Sequence, residues 1–218
     1  MKKFDARAFI EFVVDNRVVG FFDKPITLKS GRRSHWYVNW RAVSNDVFLM
    51  DRLSDFLLDF VSDLNLTPDS IYGVPEGATK LGVLSTYKWA KAQKSYAIGS
   101  HVLSMGRGKP KEHGISEDRF FVGMPKGNIV VVEDVTTTGG SLLETLDQLS
   151  KIDVKVIATI GLTNRMEKRD DGKSVAEVMS ERGVPYFSLC DATVLLPKAI
   201  EALKPNEAIK KLIEEEFI

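Results

Sequence analysis

The residues best suited to chemistry lie in the segment VVVEDVTTTGGS, at positions 130–141. Its valines are typical of a strand buried on both faces, and that strand runs directly into the carboxylates of Glu133 and Asp134. Small polar residues follow, and apolar residues then recur at helical spacing from Leu142 to Leu149. A polar loop before a helix presents backbone N–H groups at the positive end of the helix dipole, which suits a phosphate dianion. The segment therefore predicts a phosphate loop beside two carboxylates that suit hydroxyl groups or a hydrated cation.

The spacing of this segment excludes two well-known phosphate loops. A P-loop requires GxxxxGK followed by Ser or Thr, and a dinucleotide fingerprint requires GxGxxG; the chain contains neither. A purely structural interpretation stays open, in which Glu133 and Asp134 cap the end of a strand and the threonines form an ordinary turn.

The composition indicates one α/β domain without a large charged surface. The chain has 218 residues and 44% hydrophobic content, which is enough for one sizeable core. Lys plus Arg equals Asp plus Glu at 30 each, so no net field draws the chain to nucleic acid or to a membrane. We expect neither a signal peptide nor a membrane span, because Asp5, Arg7 and Glu11 interrupt the N-terminal segment and no apolar run is long enough to cross a membrane. The single cysteine, Cys190, indicates a buried thiol in a reducing compartment, so we expect a cytoplasmic protein.

Apolar periodicity divides the chain into alternating helices and strands. It predicts helices near residues 5–16, 47–64, 77–94, 139–151 and 174–182. It predicts strands at residues 71–75, 95–104, 120–123, 128–133, 154–163 and 185–189. This alternation is typical of an α/β fold with a mostly parallel sheet flanked by helices, in which ligands bind at the carboxyl ends of the strands. We expect a single domain over residues 1–218, with an α/β core at about 46–190 and a cap made of the first 45 residues and the C-terminal helices.

A second chemical segment, SMGRGKPKEHGIS at residues 104–116, carries a cation at every second position: Arg107, Lys109, Lys111 and His113. Glycine and proline interrupt it, so it predicts a mobile loop rather than a helix or a central strand. Such a loop could close over a polyanion and place positive charge where a leaving group becomes negative. The alternative is an ordinary solvated surface loop.

A third segment, ITLKSGRRSHWYVNWR at residues 26–41, places Lys29, Arg32 and Arg33 around a turn and follows them with aromatic residues. Cations beside aromatic rings can hold a flat, anionic ring. The alternative is a basic turn before an amphipathic strand whose aromatic side chains face a core.

These three segments carry a family resemblance that covers about residues 21–165. The apolar strand, acidic pair and Thr/Gly loop resemble the phosphoribosyl-diphosphate (PRPP) signature of the type I phosphoribosyltransferases. The LKSGR segment, the loop ending in KEHG and the acidic motif occur in the order found in orotate phosphoribosyltransferases. The resemblance implies a parallel α/β core under a small N-terminal hood, and transfer of phosphoribose from PRPP to orotate with Mg²⁺ as cofactor. It also implies a homodimer whose basic loop reaches the neighbouring site.

The resemblance assigns roles by position. Residues implied to bind PRPP are Glu133, Asp134, Thr136, Thr137, Thr138, Gly139, Gly140, Ser141, Lys29, Lys80, Arg107, Lys109, Lys111 and His113. Residues implied to bind orotate are Lys29, Tyr37, Val38, Thr137 and Arg165. Residues implied to act in catalysis are Lys111, His113, Arg107 and Asp134. No side chain is expected to ligate the metal directly, because Mg²⁺ is held mainly by PRPP and water.

The chain departs from the family pattern at three places. Gly108 follows Arg107 where the family has a lysine, and Lys109 stands where an acidic residue is common. Lys80 stands where a proline is expected, and Val38 replaces an aromatic residue. Two alternatives stay open, namely a phosphoribosyltransferase for purine bases and a non-catalytic regulator that senses PRPP.

Overall fold

The computed structural model describes residues 2–28, 30–113 and 119–216. The helices within these residues are α1 (Ala6–Asp15), α2 (Val47–Asp63), α3 (Thr79–Lys91), α4 (Gly140–Leu149), α5 (Val175–Glu181), α6 (Ala192–Leu203) and α7 (Glu207–Glu215). The strands are β1 (Val19–Thr27), β2 (Arg33–Val38), β3 (Ser70–Gly73), β4 (Met105–Gly106), β5 (Phe121–Val122), β6 (Gly127–Thr136), β7 (Val154–Asn164) and β8 (Tyr186–Asp191). None of the described helices is both long enough and apolar enough to cross a membrane.

The centre of the fold is a four-stranded parallel sheet in the order β3-β6-β7-β8. Strand β6 is buried on both faces because its apolar residues belong alternately to two hydrophobic clusters. Val130 and Val132 belong to one cluster with α1, α2 and α6, while Ile129 and Val131 belong to the other with α4 and α5. The valine run is therefore the interior of the molecule, and the predicted α/β fold with a mostly parallel sheet flanked by helices is confirmed.

The N-terminal region forms a hood, defined here as the antiparallel hairpin of β1 and β2 together with the short helix Trp40–Ala42. Helix α7 contacts both strands of the hairpin, and α1 packs against α6. The rings of Phe9 and Trp40 stack at 5.8 Å, which ties α1 to the hood. The C-terminal helices are thereby placed against the N-terminal segments.

The predicted helices agree with α1 to α5 to within three residues at every end. One strand prediction is wrong, and another is confirmed as a short strand that lies outside the main sheet. Residues 95–104 contain no strand, because Gly99 has a φ of +77° and the Ser100 hydroxyl donates to the Ala97 carbonyl at 2.7 Å, which makes a turn. Residues 120–123 contain only β5, which pairs antiparallel with β4 outside the main sheet.

The carboxyl ends of β3, β6 and β7 lie at one edge of the sheet, and the segments that follow them are the ones with chemical side chains. Strand β3 packs tightly on α3, since a Cβ at Gly82 would lie 2.4 Å from the backbone nitrogen of Gly73. The turn between them, residues 74–78, contains a cis peptide bond between Pro75 and Glu76. The fold thus brings this turn beside the acidic end of β6.

Candidate active site

The phosphate loop, residues 136–141, connects β6 to α4 as predicted. Gly139 has a φ of +74°, in the left-handed region that glycine adopts without strain, and no side chain caps the N-terminus of α4. The backbone N–H groups of the first turn of α4 lie at the positive end of the helix dipole. They adjoin a cavity of about 170 Å³, lined by Ser30, Glu133, Val135, Thr137, Thr138, Gly139, Gly140, Ser141 and Glu144. The cavity combines hydroxyl groups, a helix N-terminus and one carboxylate of the acidic pair.

The acidic pair occupies two different environments. Glu133 is only 5% exposed and lines the phosphate cavity, while Asp134 is half-buried and approaches the turn after β3. A Cβ at Gly77 would lie 2.2 Å from Oδ2 of Asp134, so only glycine permits this contact. The Thr136 side chain is fully buried beside Gly161, and it does not line the phosphate cavity. The acidic pair therefore lies between the phosphate loop and the turn at residues 74–78.

A larger cavity of about 740 Å³ lies between this turn and the base of the basic loop. Its lining residues are Arg41, Ser44, Asn45, Glu76, Gly77, Thr79, Lys80, Met105, Gly106, Arg107, Gly108, Lys109 and Val122. The ammonium group of Lys80 donates to the Ser44 carbonyl at 3.0 Å. A Cβ at Gly108 would lie 2.5 Å from Oε1 of Glu76, so the glycine that departs from the family pattern makes room for that carboxylate. The cavity has the cationic lining that a diphosphate requires.

The basic loop begins as an extension of the β4–β5 hairpin. The backbone N–H of Arg107 donates to the Phe120 carbonyl at 2.9 Å, and that of Lys111 donates to the Arg119 carbonyl at 2.8 Å. The side chains of Lys109, Lys111 and His113 are exposed to solvent. Residues 114–118 and Lys29, a predicted PRPP and orotate ligand, lie outside the described residues.

Arg165 follows β7 and lies between the hood and the sheet. Its guanidinium stacks on the Trp36 ring with 3.6 Å to the centroid, and its Nε donates to Glu167 at 2.7 Å. Its Nη2 donates to the Ser34 hydroxyl at 2.9 Å, and the side chain is only 3% exposed. Burial lowers the pKa of Arg165, and the Glu167 carboxylate opposes that shift. The hood therefore fixes this guanidinium as a buried cation.

The cavity beside Arg165 is separate from the phosphate cavity. It measures about 260 Å³ and is lined by Arg32, Arg33, Ser34, Trp36, Arg165, Met166, Glu167, Lys168 and Glu216. Glu216, after the last turn of α7, accepts hydrogen bonds from the Ser34 hydroxyl at 2.7 Å and from the His35 backbone N–H at 2.6 Å. Among the described residues, the predicted ligands that line a cavity fall into three groups around three cavities. The other predicted ligands line none of the three, namely Asp134, Thr136, Tyr37, Val38, Lys111 and His113.

The two hood residues predicted to face orotate differ in accessibility. Tyr37 is 36% exposed, while Val38 is 3% exposed and belongs to the core, because alternate residues of β2 face inward. The sequence prediction assigned no binding role to several residues that the structure places around these cavities, namely Ser30, Arg41, Glu76, Glu144 and Glu216. Arg41 could have been found, since it ends the same basic and aromatic segment.

The described residues include no group of three His, Cys, Asp or Glu side chains that could hold a metal ion. The carboxylates of Glu133 and Asp134 nevertheless supply the oxygen atoms that Mg²⁺ prefers. Mg²⁺ keeps several waters and is usually bound through one or two carboxylates together with substrate phosphates. The donor set therefore fits an ion held mainly by a phosphorylated ligand and water.

A parallel sheet with a phosphate loop after an acidic strand end defines the class of the type I phosphoribosyltransferases. Solved structures of this class share the fold of the chain. Orotate phosphoribosyltransferase from Francisella tularensis has a TM-score of 0.67 at 21% identity, covering 95% of this chain and 96% of that one. The Mycobacterium tuberculosis enzyme in complex with PRPP has a TM-score of 0.58 at 18% identity, covering 87% and 98%.

The chain belongs to the orotate phosphoribosyltransferase family. It is 30% identical over 203 residues to the orotate phosphoribosyltransferase of Bradyrhizobium diazoefficiens, covering 90% of this chain and 99% of that one. UMP synthase from Leishmania donovani has a TM-score of 0.72 at 17% identity; the match covers 95% of this chain but only 41% of that one. No protein-family model matches the chain.

Proposed function

We propose that the protein is an orotate phosphoribosyltransferase, which converts PRPP and orotate into orotidine 5′-monophosphate and diphosphate in pyrimidine nucleotide synthesis. The observation that carries the proposal is the cavity in which Glu133 meets the phosphate loop at the uncapped N-terminus of α4. This cavity combines the groups that a ribose 5-phosphate requires. Membership of the orotate phosphoribosyltransferase family narrows the acceptor base to orotate.

PRPP would lie across the carboxyl edge of the sheet. Its 5′-phosphate would bind residues 137–141, where backbone N–H groups and hydroxyls line the smaller cavity. Its ribose hydroxyls would bind Glu133 and Asp134, and its diphosphate would enter the larger cavity with Lys80 and Arg107. The contact between Asp134 and Gly77 supports this arrangement of PRPP. Gly77 lines the larger cavity and Glu133, next to Asp134, lines the smaller one, so the acidic pair lies between the two cavities.

The reaction separates charge, and the proposed site has groups for both signs. The bond from ribose C1 to diphosphate breaks with its electron pair on the leaving oxygen, and C1 acquires oxocarbenium character. N1 of orotate donates an electron pair to C1 and releases its proton to the departing diphosphate. The carboxylate of Asp134 would stabilise the positive sugar, while Arg107, Lys109, Lys111 and His113 would stabilise the negative leaving group.

Orotate would bind between the hood and the phosphate loop. The proposed contacts are Tyr37 and Val38 of the hood, the Thr137 loop residue and the Arg165 cation. Tyr37 offers an exposed ring, whereas the buried Val38 has only its backbone to offer. Because Arg165 already bonds Ser34 and Glu167, it would contribute a preorganised positive charge to bind the orotate carboxylate.

The proposal extends to the cofactor, the domain and the assembly. Mg²⁺ would supply positive charge to the phosphate oxygens of PRPP, beside Glu133 and Asp134. The chain would act as a single cytoplasmic domain and as a homodimer in which the basic loop reaches the neighbouring site. Large exposed apolar side chains at Tyr87, Tyr96 and Ile98 support such an interface, because solvent exposure of these groups is unfavourable.

The test is to mix the protein with PRPP, Mg²⁺ and orotate and to follow the ultraviolet absorbance of orotate. We expect the absorbance to fall only when all three are present. Hypoxanthine and adenine replace orotate in parallel reactions. Turnover of a purine base without orotate would identify a purine enzyme, and PRPP binding without turnover of any base would indicate a regulator.

A further inference from the structure

The loop after β7, residues 165–174, connects the hood with the back of the phosphate loop. Arg32 of the hood donates to the Glu167 carboxylate at 3.2 Å and also to the Lys168 carbonyl. Further along this loop, Nη1 of Arg169 donates to the carbonyl oxygen of Thr138 at 2.6 Å. One side chain of the loop thus contacts the phosphate loop directly.

The position of Arg169 is fixed by its own turn. Its backbone N–H donates to the Lys173 carbonyl at 3.0 Å, and its carbonyl accepts from the Gly172 N–H at 3.0 Å. Its Nε lies 3.7 Å from Oδ2 of Asp171, and only 27% of the side chain is exposed. A guanidinium held in this way has lost most of its conformational freedom before any ligand binds.

The hydrogen bond to Thr138 determines the orientation of the next peptide N–H. In a trans peptide the C=O and N–H groups point in opposite directions, so the carbonyl of Thr138 fixes the N–H of Gly139 on the opposite side. Thr138 and Gly139 line the phosphate cavity, and Arg169 does not. Gly139 also lies close to Val175, the first residue of α5, since a Cβ at Gly139 would lie 3.1 Å from Cγ1 of Val175.

We propose that Arg169 is a positioning residue of the 5′-phosphate site, which it stabilises by holding the Thr138–Gly139 peptide with its N–H facing the phosphate. The guanidinium also adds positive charge behind a dianion without contacting it. This inference rests on the proposed function, because the phosphate in question is that of PRPP. It assigns a role in phosphate binding to a loop outside the sequence motif.

The experiment compares R169Q and R169K with the control R182Q. Arg182 pairs with Asp147 on the surface beside α4, so R182Q removes an equal charge without touching the phosphate loop. Calorimetry measures the affinity of each protein for ribose 5-phosphate and, separately, for inorganic diphosphate, which lacks the 5′-phosphate group.

We expect R169Q to bind ribose 5-phosphate roughly 10- to 100-fold more weakly than wild type, the range for loss of a hydrogen bond from a charged donor. Diphosphate affinity should stay within about twofold, R182Q should match wild type, and R169K should recover part of the loss because it keeps one charged donor. In turnover assays, KM for PRPP should rise while kcat changes little, since the 5′-phosphate does not react.

Unchanged ribose 5-phosphate affinity in R169Q would overturn the inference, as would an equal loss for both ligands, which indicates general damage. If R169Q does not fold, the same two affinities are measured for R169K. A loss of affinity for ribose 5-phosphate alone then supports the inference, and no loss, or an equal loss for both ligands, overturns it. A wild-type protein that binds neither PRPP nor ribose 5-phosphate contradicts the proposed function instead, so the two failures are distinguishable.

Discussion

The contact between Gly77 and Asp134 predicts a substitution that damages activity while leaving the fold intact. In Gly77→Ala the new Cβ would lie 2.2 Å from Oδ2 and 2.4 Å from Cγ of Asp134, where ordinary contacts begin at 3.4 Å. The φ of Gly77 is outside the left-handed region, so alanine introduces no backbone strain there. The carboxylate of Asp134 must therefore move by about 1 Å, and a misplacement of that size costs about 10²-fold in rate.

The assay is the rate of orotate consumption at saturating PRPP, with the thermal unfolding midpoint measured on the same samples. Gly20→Ala is the matched control, since its Cβ would lie 3.8 Å from the ring of Phe22 and meet only ordinary contacts. We expect kcat to fall about 10²-fold in Gly77→Ala and to stay at the wild-type value in Gly20→Ala. Wild-type activity in Gly77→Ala would refute the role given to Asp134, and a loss explained by unfolding would refute the reasoning from geometry.

Three further predictions concern other groups. Lys111→Ala should lower kcat roughly 10²- to 10³-fold with a smaller change in KM for PRPP. The control Lys126→Ala, which removes another exposed lysine, should leave kcat unchanged. An effect of Lys111→Ala on KM alone would contradict the role of Lys111. Asp134→Asn should abolish turnover with an unchanged circular dichroism spectrum, so wild-type rates would remove Asp134 from the mechanism. Burial raises the pKa of Cys190 from 9.0 to about 12, so this thiol alone should lower the free energy of unfolding by about 1.4 kcal/mol per pH unit between pH 9 and pH 12. A thiol reagent should therefore label Cys190 only in denaturant, and fast labelling of the native protein would contradict its burial.

The sheet was predictable because its strands carry strong local signals. Val130, Val131 and Val132 are buried on both faces, and such a run has few other interpretations. Residues 95–104 also contain aromatic and β-branched side chains, Tyr96, Ile98 and Val102, but no neighbouring strand pairs with them in the described chain, and Ile98 stays exposed. Strand formation depends on a partner, which a local pattern does not reveal.

The candidate site was predictable in its residue types and only partly in its geometry. The alternation of side chains along β2 predicts that Tyr37 and Val38 face opposite sides of the strand. Which of the two is buried depends on the packing of the hood, and in the structure it is Val38. Arg169 lies in a run of charged residues, where nothing local distinguishes it from a solvated side chain. Its contact with the Thr138 carbonyl depends on the path of a loop, which is set by long-range contacts such as those of Arg32.

The most direct test of the proposed function measures two products of one reaction. The protein is incubated with PRPP, Mg²⁺ and orotate, and the loss of orotate absorbance and the release of diphosphate are followed on the same sample. We predict equal amounts of orotate consumed and diphosphate released, with neither change when PRPP is omitted. Release of diphosphate without consumption of orotate, or no release at all, would contradict the assignment of the protein as an orotate phosphoribosyltransferase.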